Sequence, residues 1–162
     1  MRAVSRGINK AEPTGKLCHI ITPKDMMPSD SSPYERLREH GHWNIVDDIH
    51  TRIGILIRES EDCQYIVVYG GGIGTIHELM SILVRWYHHT ERMPYILICT
   101  EDAEDWCNHI AGLLAPLCVE DRPYILIMRQ RMFKVSTLEL ENILRSGEVG
   151  EASHLIPDNR HS

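Results

Sequence analysis

Four apolar runs punctuate the chain: LCHIIT at residues 17–22, YIVVY at 65–69, YILIC at 95–99 and YILIM at 124–128. Each is short, rich in β-branched or aromatic residues, and nearly continuous in apolar character. A strand with one wet face alternates polar and apolar residues, whereas a strand covered on both faces need not. The runs therefore predict parallel strands sandwiched between helical layers.

Between these runs the period lengthens. Ile49, Ile53, Leu56 and Ile57 predict a helix over about residues 47–59. Ile76, Leu79, Met80, Leu83 and Val84 form the clearest stripe and predict a helix over residues 75–88. Residues 2–11, 104–116 and 136–145 predict three more, the last opened by a capping box from Ser136 to Glu139. Strands separated by helices predict an α/β fold. The expected form is a Rossmann-like three-layer α/β/α arrangement on a parallel sheet of about four to five strands. Residues 23–41, with their prolines and polar side chains, predict a long surface loop. Residues 1–146 are expected to form one nucleotide-binding domain and residues 147–162 a polar, flexible tail. The first helical pattern has no strand before it, so the domain is expected to be incomplete at its N-terminus.

Composition narrows the function. At 162 residues the chain suits a single core. Its net charge is −6 with no long basic run, which argues against nucleic acid as a partner. No apolar stretch approaches the roughly 18 residues of a membrane span. MRAVSRGINK at the start has no apolar signal core, so the cytoplasm is the expected location. Cys18, Cys63, Cys99, Cys107 and Cys118 include no CxxC pair and are expected to be reduced thiols. The histidines form neither HxxxH nor HExxH, so no metal site is predicted. Lys24 and Lys134 have no evident partner acid for a pyridoxal ring, and no cofactor is expected.

The chemistry concentrates in residues 65–79, YIVVYGGGIGTIHEL. An apolar strand runs into Gly70, Gly71, Gly72, Ile73, Gly74 and Thr75, and a helix follows. Free amide groups at a helix start, the positive end of its dipole and glycines that admit close approach together make an anion site, most often for phosphate. The loop lies at the carboxyl end of a strand, where open α/β sheets bind ligands. It is neither a Walker A loop nor a dinucleotide fingerprint, since it lacks GK[ST] and GxGxxG spacing. A tight turn alone does not need so many glycines. Thr75 can cap the helix or donate to the phosphate. Glu78 falls about one turn later, where either the helix dipole or catalysis accounts for it.

Gly71-Gly72-Ile73-Gly74-Thr75-Ile76-His77-Glu78 resembles the PGGxGTxxE signature of the Lonely Guy, or lysine-decarboxylase-like, family, with Gly70 where that signature has proline. The likeness extends along the chain. Ile21-Thr22-Pro23-Lys24 with Met26-Met27-Pro28 is similar to the loop after the family's third strand. Asp47-Asp48-Ile49-His50-Thr51-Arg52 is similar to its D-M-H-x-R-K segment, with Ile53 in place of the lysine. Trp86, His89 and Pro94 match the approach to the next strand, and MRAVSRG at residues 1–7 the helix after the family's first glycine loop.

The resemblance implies a phosphoribohydrolase that cleaves the N-glycosidic bond of a nucleoside 5'-monophosphate, a cytokinin riboside monophosphate or an AMP-like nucleotide. It implies catalytic roles for Glu78 and Arg52, and substrate binding by Gly71, Gly72, Ile73, Gly74, Thr75 and Asp30. Cleavage through an oxocarbenium-like sugar suits a carboxylate that stabilises the cation and handles water. An arginine suits the phosphate. The stretch after Arg52 is longer than the family's, near residues 59–63, which makes Arg58 a rival for the arginine role. A homodimer is also implied. The family's N-terminal strands and loops have no counterpart here. Three readings stay open: a hydrolase, a nucleotide- or cofactor-binding module of the molybdenum-cofactor-carrier type, or a truncated inactive relative.

Overall fold

The structure is a computed structural model, and it describes residues 20–27, 43–87, 92–99, 104–114, 123–150 and 152–156. The chain divides into two compact units, Met1–Leu56 and Ile57–Ser162. The expected helix at 2–11, most of the expected loop at 23–41, and Cys18 and Cys118 lie outside the described residues.

In the first unit, β1 (Ile20–Pro23) and β2 (Trp43–Val46) pair in parallel, with Ile20 opposite Trp43 and Pro23 opposite Val46. The expected strand over 17–22 is thus seen from Ile20 and runs on to Pro23, the residue expected to open the loop. A 3-10 turn, Lys24–Met26, follows. The buried indole of Trp43 donates to the Thr22 hydroxyl at 3.0 Å, so the two strands are tied by a side-chain bond as well as the ladder. Strand β2 has no counterpart among the apolar runs. Its four residues WNIV expose Asn44 and Ile45 together and so carry no readable period.

Helix α1 (Ile49–Ser60) starts where Asp48 accepts a hydrogen bond from the Thr51 amide at 2.8 Å. That side chain fills the N-cap role, and the Thr51 amide holds the Asp48 carboxyl below its ordinary value.

The second unit is built on a four-stranded sheet in the order β3 (Tyr65–Tyr69), β4 (Tyr95–Cys99), β5 (Met132–Val135), β6 (Ser153–His154). The first three strands are parallel and β6 is antiparallel to β5. Helix α2 (Ile73–Trp86) links β3 to β4. Helices α3 (Glu104–Leu114) and α4 (Pro123–Arg131) lie between β4 and β5, and α5 (Thr137–Ser146) follows β5. The mostly parallel α/β architecture matches the Rossmann-like expectation.

The core separates into two clusters, one per sheet face. Val68, Ile96 and Ile98 pack with Leu79, Ile82, Leu83 and Trp86 of α2 and Cys107, Ile110 and Leu114 of α3. Leu97, Phe133 and Val135 pack with Leu140 and Ile143 of α5. Neighbouring residues of β4 point to opposite faces, and Ile96, Leu97 and Ile98 are all fully buried, as a covered central strand requires. Burying one such side chain contributes roughly 1.5–3 kcal/mol. Tyr65 stacks on Tyr95, Tyr95 meets Phe133, and Phe133 meets His154, with ring centroids 6.0, 6.1 and 4.6 Å apart. Aromatic contacts thus cross all four strands on the α5 face and help fix their register.

Two expectations are corrected. The run 124–128 lies in helix α4, and the strand comes directly after it, at Met132–Val135. Five consecutive apolar residues fit a buried helix as well as a strand; Pro123 at the first helical position marks the former. The tail from Gly147 is not loose over residues 152–156: β6 pairs with β5, and Leu155 and Ile156 are buried. The other helices among the described residues fall close to expectation, and the Ser136–Glu139 capping box is present. Among the described residues, no helix is long and apolar enough to cross a membrane. Cys63, Cys99 and Cys107 are not in disulfides.

Candidate functional site

Strand β3 ends at Tyr69 and α2 begins at Ile73, two residues earlier than the apolar stripe predicts. The N-cap is therefore Gly72, in extended conformation, with no side-chain cap. Thr75 does not cap; it sits in the first turn and its amide donates to the Gly72 carbonyl at 3.1 Å. The amides of Ile73 and Gly74 precede any intrahelical acceptor. Together with the dipole they make this end of α2 an electropositive terminus that no side chain of its own neutralises.

The glycines divide into two kinds. A Cβ on Gly71 would overlap the Thr75 hydroxyl and come within 3.1 Å of the Thr75 Cβ, so the loop needs glycine there to lie against its own helix. A Cβ on Gly72 or Gly74 would meet nothing within 4 Å, and neither residue has a positive φ. Neither turn geometry nor internal packing calls for glycine at these two positions. What they provide is uncovered backbone, the surface a phosphate needs to reach amide groups.

Glu78 is the sixth residue of α2, two residues deeper than the apolar stripe predicts and beyond the first turn. The dipole's influence fades beyond the first turn, so it no longer accounts for an acid at this position. Gly74 and Thr75 lie four and three residues before Glu78 and share its side of the helix. That side flanks the buried stripe of Leu79, Ile82, Leu83 and Trp86, and Glu78 is half-buried. Ile73 by contrast is 86% exposed and projects from the first turn of α2.

Arg52 lies in α1, half-buried beside the buried Ile53. Both Arg52 and Glu78 have interaction partners. Arg58 is exposed in the last turn of α1, where a cation complements the helix dipole; that is sufficient structural reason for it. Asp30 lies outside the described residues. Among the described residues, no group of three or more His, Cys, Asp or Glu side chains is placed to hold a metal.

The same carboxyl edge carries groups that the residue pattern does not single out. Tyr69 pairs with Cys99 in the β3–β4 register, and the Cys99 thiol lies 3.7 Å from the Thr137 hydroxyl at the start of α5. Partial burial, with the Cys99 thiol adding to it, raises the Tyr69 phenol above its ordinary value. Tyr69 closes an apolar run and so looks like core; its 51% exposure is visible only in the fold.

The family model described as "Possible lysine decarboxylase" matches residues 1–135. No curated protein and no solved structure matches the chain significantly. The matched span takes in β1 to β5, the glycine loop and Glu78, and the chain belongs to this lysine-decarboxylase-like family, the Lonely Guy family.

Proposed function

We propose that the protein hydrolyses the N-glycosidic bond of a nucleoside 5'-monophosphate, releasing the free base and ribose 5-phosphate. The observation that carries this reading is the uncapped, glycine-lined start of α2 with Glu78 on the same side one turn further on. Four residues of helix rise about 6 Å. A phosphate on the first-turn amides then leaves the ribose ring to reach toward the carboxylate. In the reaction water adds to the anomeric carbon. The C–N bond breaks, and its electron pair leaves with the base nitrogen, which takes up a proton. Glu78 stabilises the oxocarbenium-like sugar and accepts the proton of the attacking water. Thr75 adds a hydroxyl to the phosphate cradle. The family resemblance implies a catalytic role for Arg52, tested by its own substitution, Arg52→Lys.

The test is release of free base from a panel of nucleoside 5'-monophosphates, including AMP and isopentenyl-AMP, by wild type and Glu78→Gln. Wild type is expected to release base. Glu78→Gln is expected to lose about 10²–10⁴-fold in kcat while still binding ribose 5-phosphate, because the amide keeps the shape and removes the base. A folded wild type that binds nucleotides without releasing base would overturn hydrolysis and leave the binding-module reading.

A further inference from the structure

The carboxyl edge of the second unit's sheet is electrostatically lopsided. At the β3 end, α2 opens with uncapped amides. At the β5 end, α5 opens with the Glu139 carboxylate already bound to the Ser136 amide at 2.7 Å and the Ser136 hydroxyl at 2.8 Å. The first attracts an anion, and the second presents negative charge where an open helix would present positive. Two strand spacings of about 4.8 Å separate β3 from β5, a distance a single nucleotide covers.

Tyr69 stands at the first of these ends, as the last residue of β3. It immediately precedes the glycine loop. Tyr65 and Val67 pack on the α5 face, and strand alternation puts Tyr69 on that face too, opposite α2. Its in-register neighbour Cys99 is buried, yet half of Tyr69 remains open. A ligand anchored by its anionic end on α2 therefore turns its uncharged end toward an exposed aromatic ring and away from further positive charge.

We propose that Tyr69 is a specificity-determining residue that stacks against the planar heterocyclic base of the ligand. This rests on the nucleoside-monophosphate reading and adds the side of the sheet edge on which the base lies. A phenol is neutral near neutral pH, and partial burial raises Tyr69 further above its ordinary value. Stacking rather than hydrogen bonding makes the ring, not the hydroxyl, the operative group.

The test compares Tyr69→Ala and Tyr69→Phe with wild type at that position, all carrying Glu78→Gln so that AMP is bound without being cleaved, using AMP and the base-free probe ribose 5-phosphate in calorimetric binding. Thermal melts verify folding. Tyr69→Ala is expected to weaken AMP about tenfold and leave ribose 5-phosphate unchanged, and Tyr69→Phe to stay within about twofold of wild type on both. Equal losses on both probes, or no loss on either, would overturn the stacking role. So would a loss of AMP binding in Tyr69→Phe as large as in Tyr69→Ala, which would assign the effect to the hydroxyl. A folded wild type that binds neither probe overturns the nucleotide reading itself, and the stacking role with it. That outcome is distinct, because it appears before any substitution.

Discussion

Helices α2 and α5 both begin where a parallel strand ends, two strands apart on one edge of the same sheet. At α5, Ser136 and Glu139 satisfy each other's backbone amides, and the helix closes with Gly147 in the left-handed region at φ 76°. Every device there serves the helix itself. At α2 the N-cap is Gly72, no side chain caps, and two glycines leave open backbone. A capping box stabilises by about 1 kcal/mol, and glycine inside a helix costs roughly 0.5–1 kcal/mol relative to alanine. The second junction forgoes stability that the first collects. Such a local deficit, placed at the carboxyl edge, is what a ligand site looks like in energetic terms.

The most damaging way to erase the difference is to give α2 the chemistry of α5. The double substitution Gly72→Ser with Thr75→Glu writes the same Ser-x-x-Glu spacing at the β3 junction. It is expected to raise thermal stability while lowering ribose 5-phosphate affinity at least ~100-fold. The amides become occupied, and a carboxylate stands where the phosphate would. Calorimetric titration and a melt on the same sample read both effects. Retained affinity would show that the phosphate does not use this helix terminus.

A milder pair separates the two kinds of glycine. Gly71→Ala drives a methyl into Thr75 and is expected to destabilise by about 1–3 kcal/mol, as overpacking does. Gly74→Ala meets nothing and is expected to leave stability equal or raised by up to about 1 kcal/mol. It should nonetheless weaken phosphate binding, about tenfold by our reading, because the methyl covers amide surface. Denaturant unfolding beside ligand titration checks both. Equal destabilisation by the two alanines would remove the distinction between a structural and a ligand-facing glycine.

How far the sequence alone reaches follows the same physics. Both junctions are legible in it, because a strand running into glycines and a Ser-x-x-Glu before an apolar stripe are local signals. The apolar stripe places the start of α2 two residues late, since a glycine N-cap leaves no side-chain mark. Helix α4 reads as a strand because the apolar run at 124–128 has no period to separate the two. Strands β2 and β6 are too short, at four and two residues, to show alternation; tertiary pairing alone defines them. In the site, Glu78 stands out by its spacing from the glycines. Tyr69 is hidden inside an apolar run, where only its exposure at the strand's end distinguishes it from the buried Val68 before it.

The smallest expected effect lies at the capped junction and concerns pH. The Ser136 amide, then its hydroxyl, holds the Glu139 carboxyl below its ordinary value of 4.5. A depressed folded value means the charged form is favoured by folding. Its stabilisation is therefore complete above 4.5 and is lost as pH falls through the lower folded value. Ser136→Ala is expected to cost about 1 kcal/mol at neutral pH by removing the hydroxyl that accepts from the Glu139 amide. Most of the pH dependence should survive in that variant, because the larger contribution comes from the Ser136 backbone amide, which alanine retains. Glu139→Gln should instead abolish it: the stability gap to wild type, present at neutral pH, closes as the wild-type carboxyl protonates. Neither substitution should alter ribose 5-phosphate affinity. Urea unfolding from neutral pH down through the carboxylate range tests the first claim, and titration tests the second. Lost ligand affinity in either variant would mean that the α5 junction also belongs to the binding surface, and that the division of labour between the two helix starts is not real.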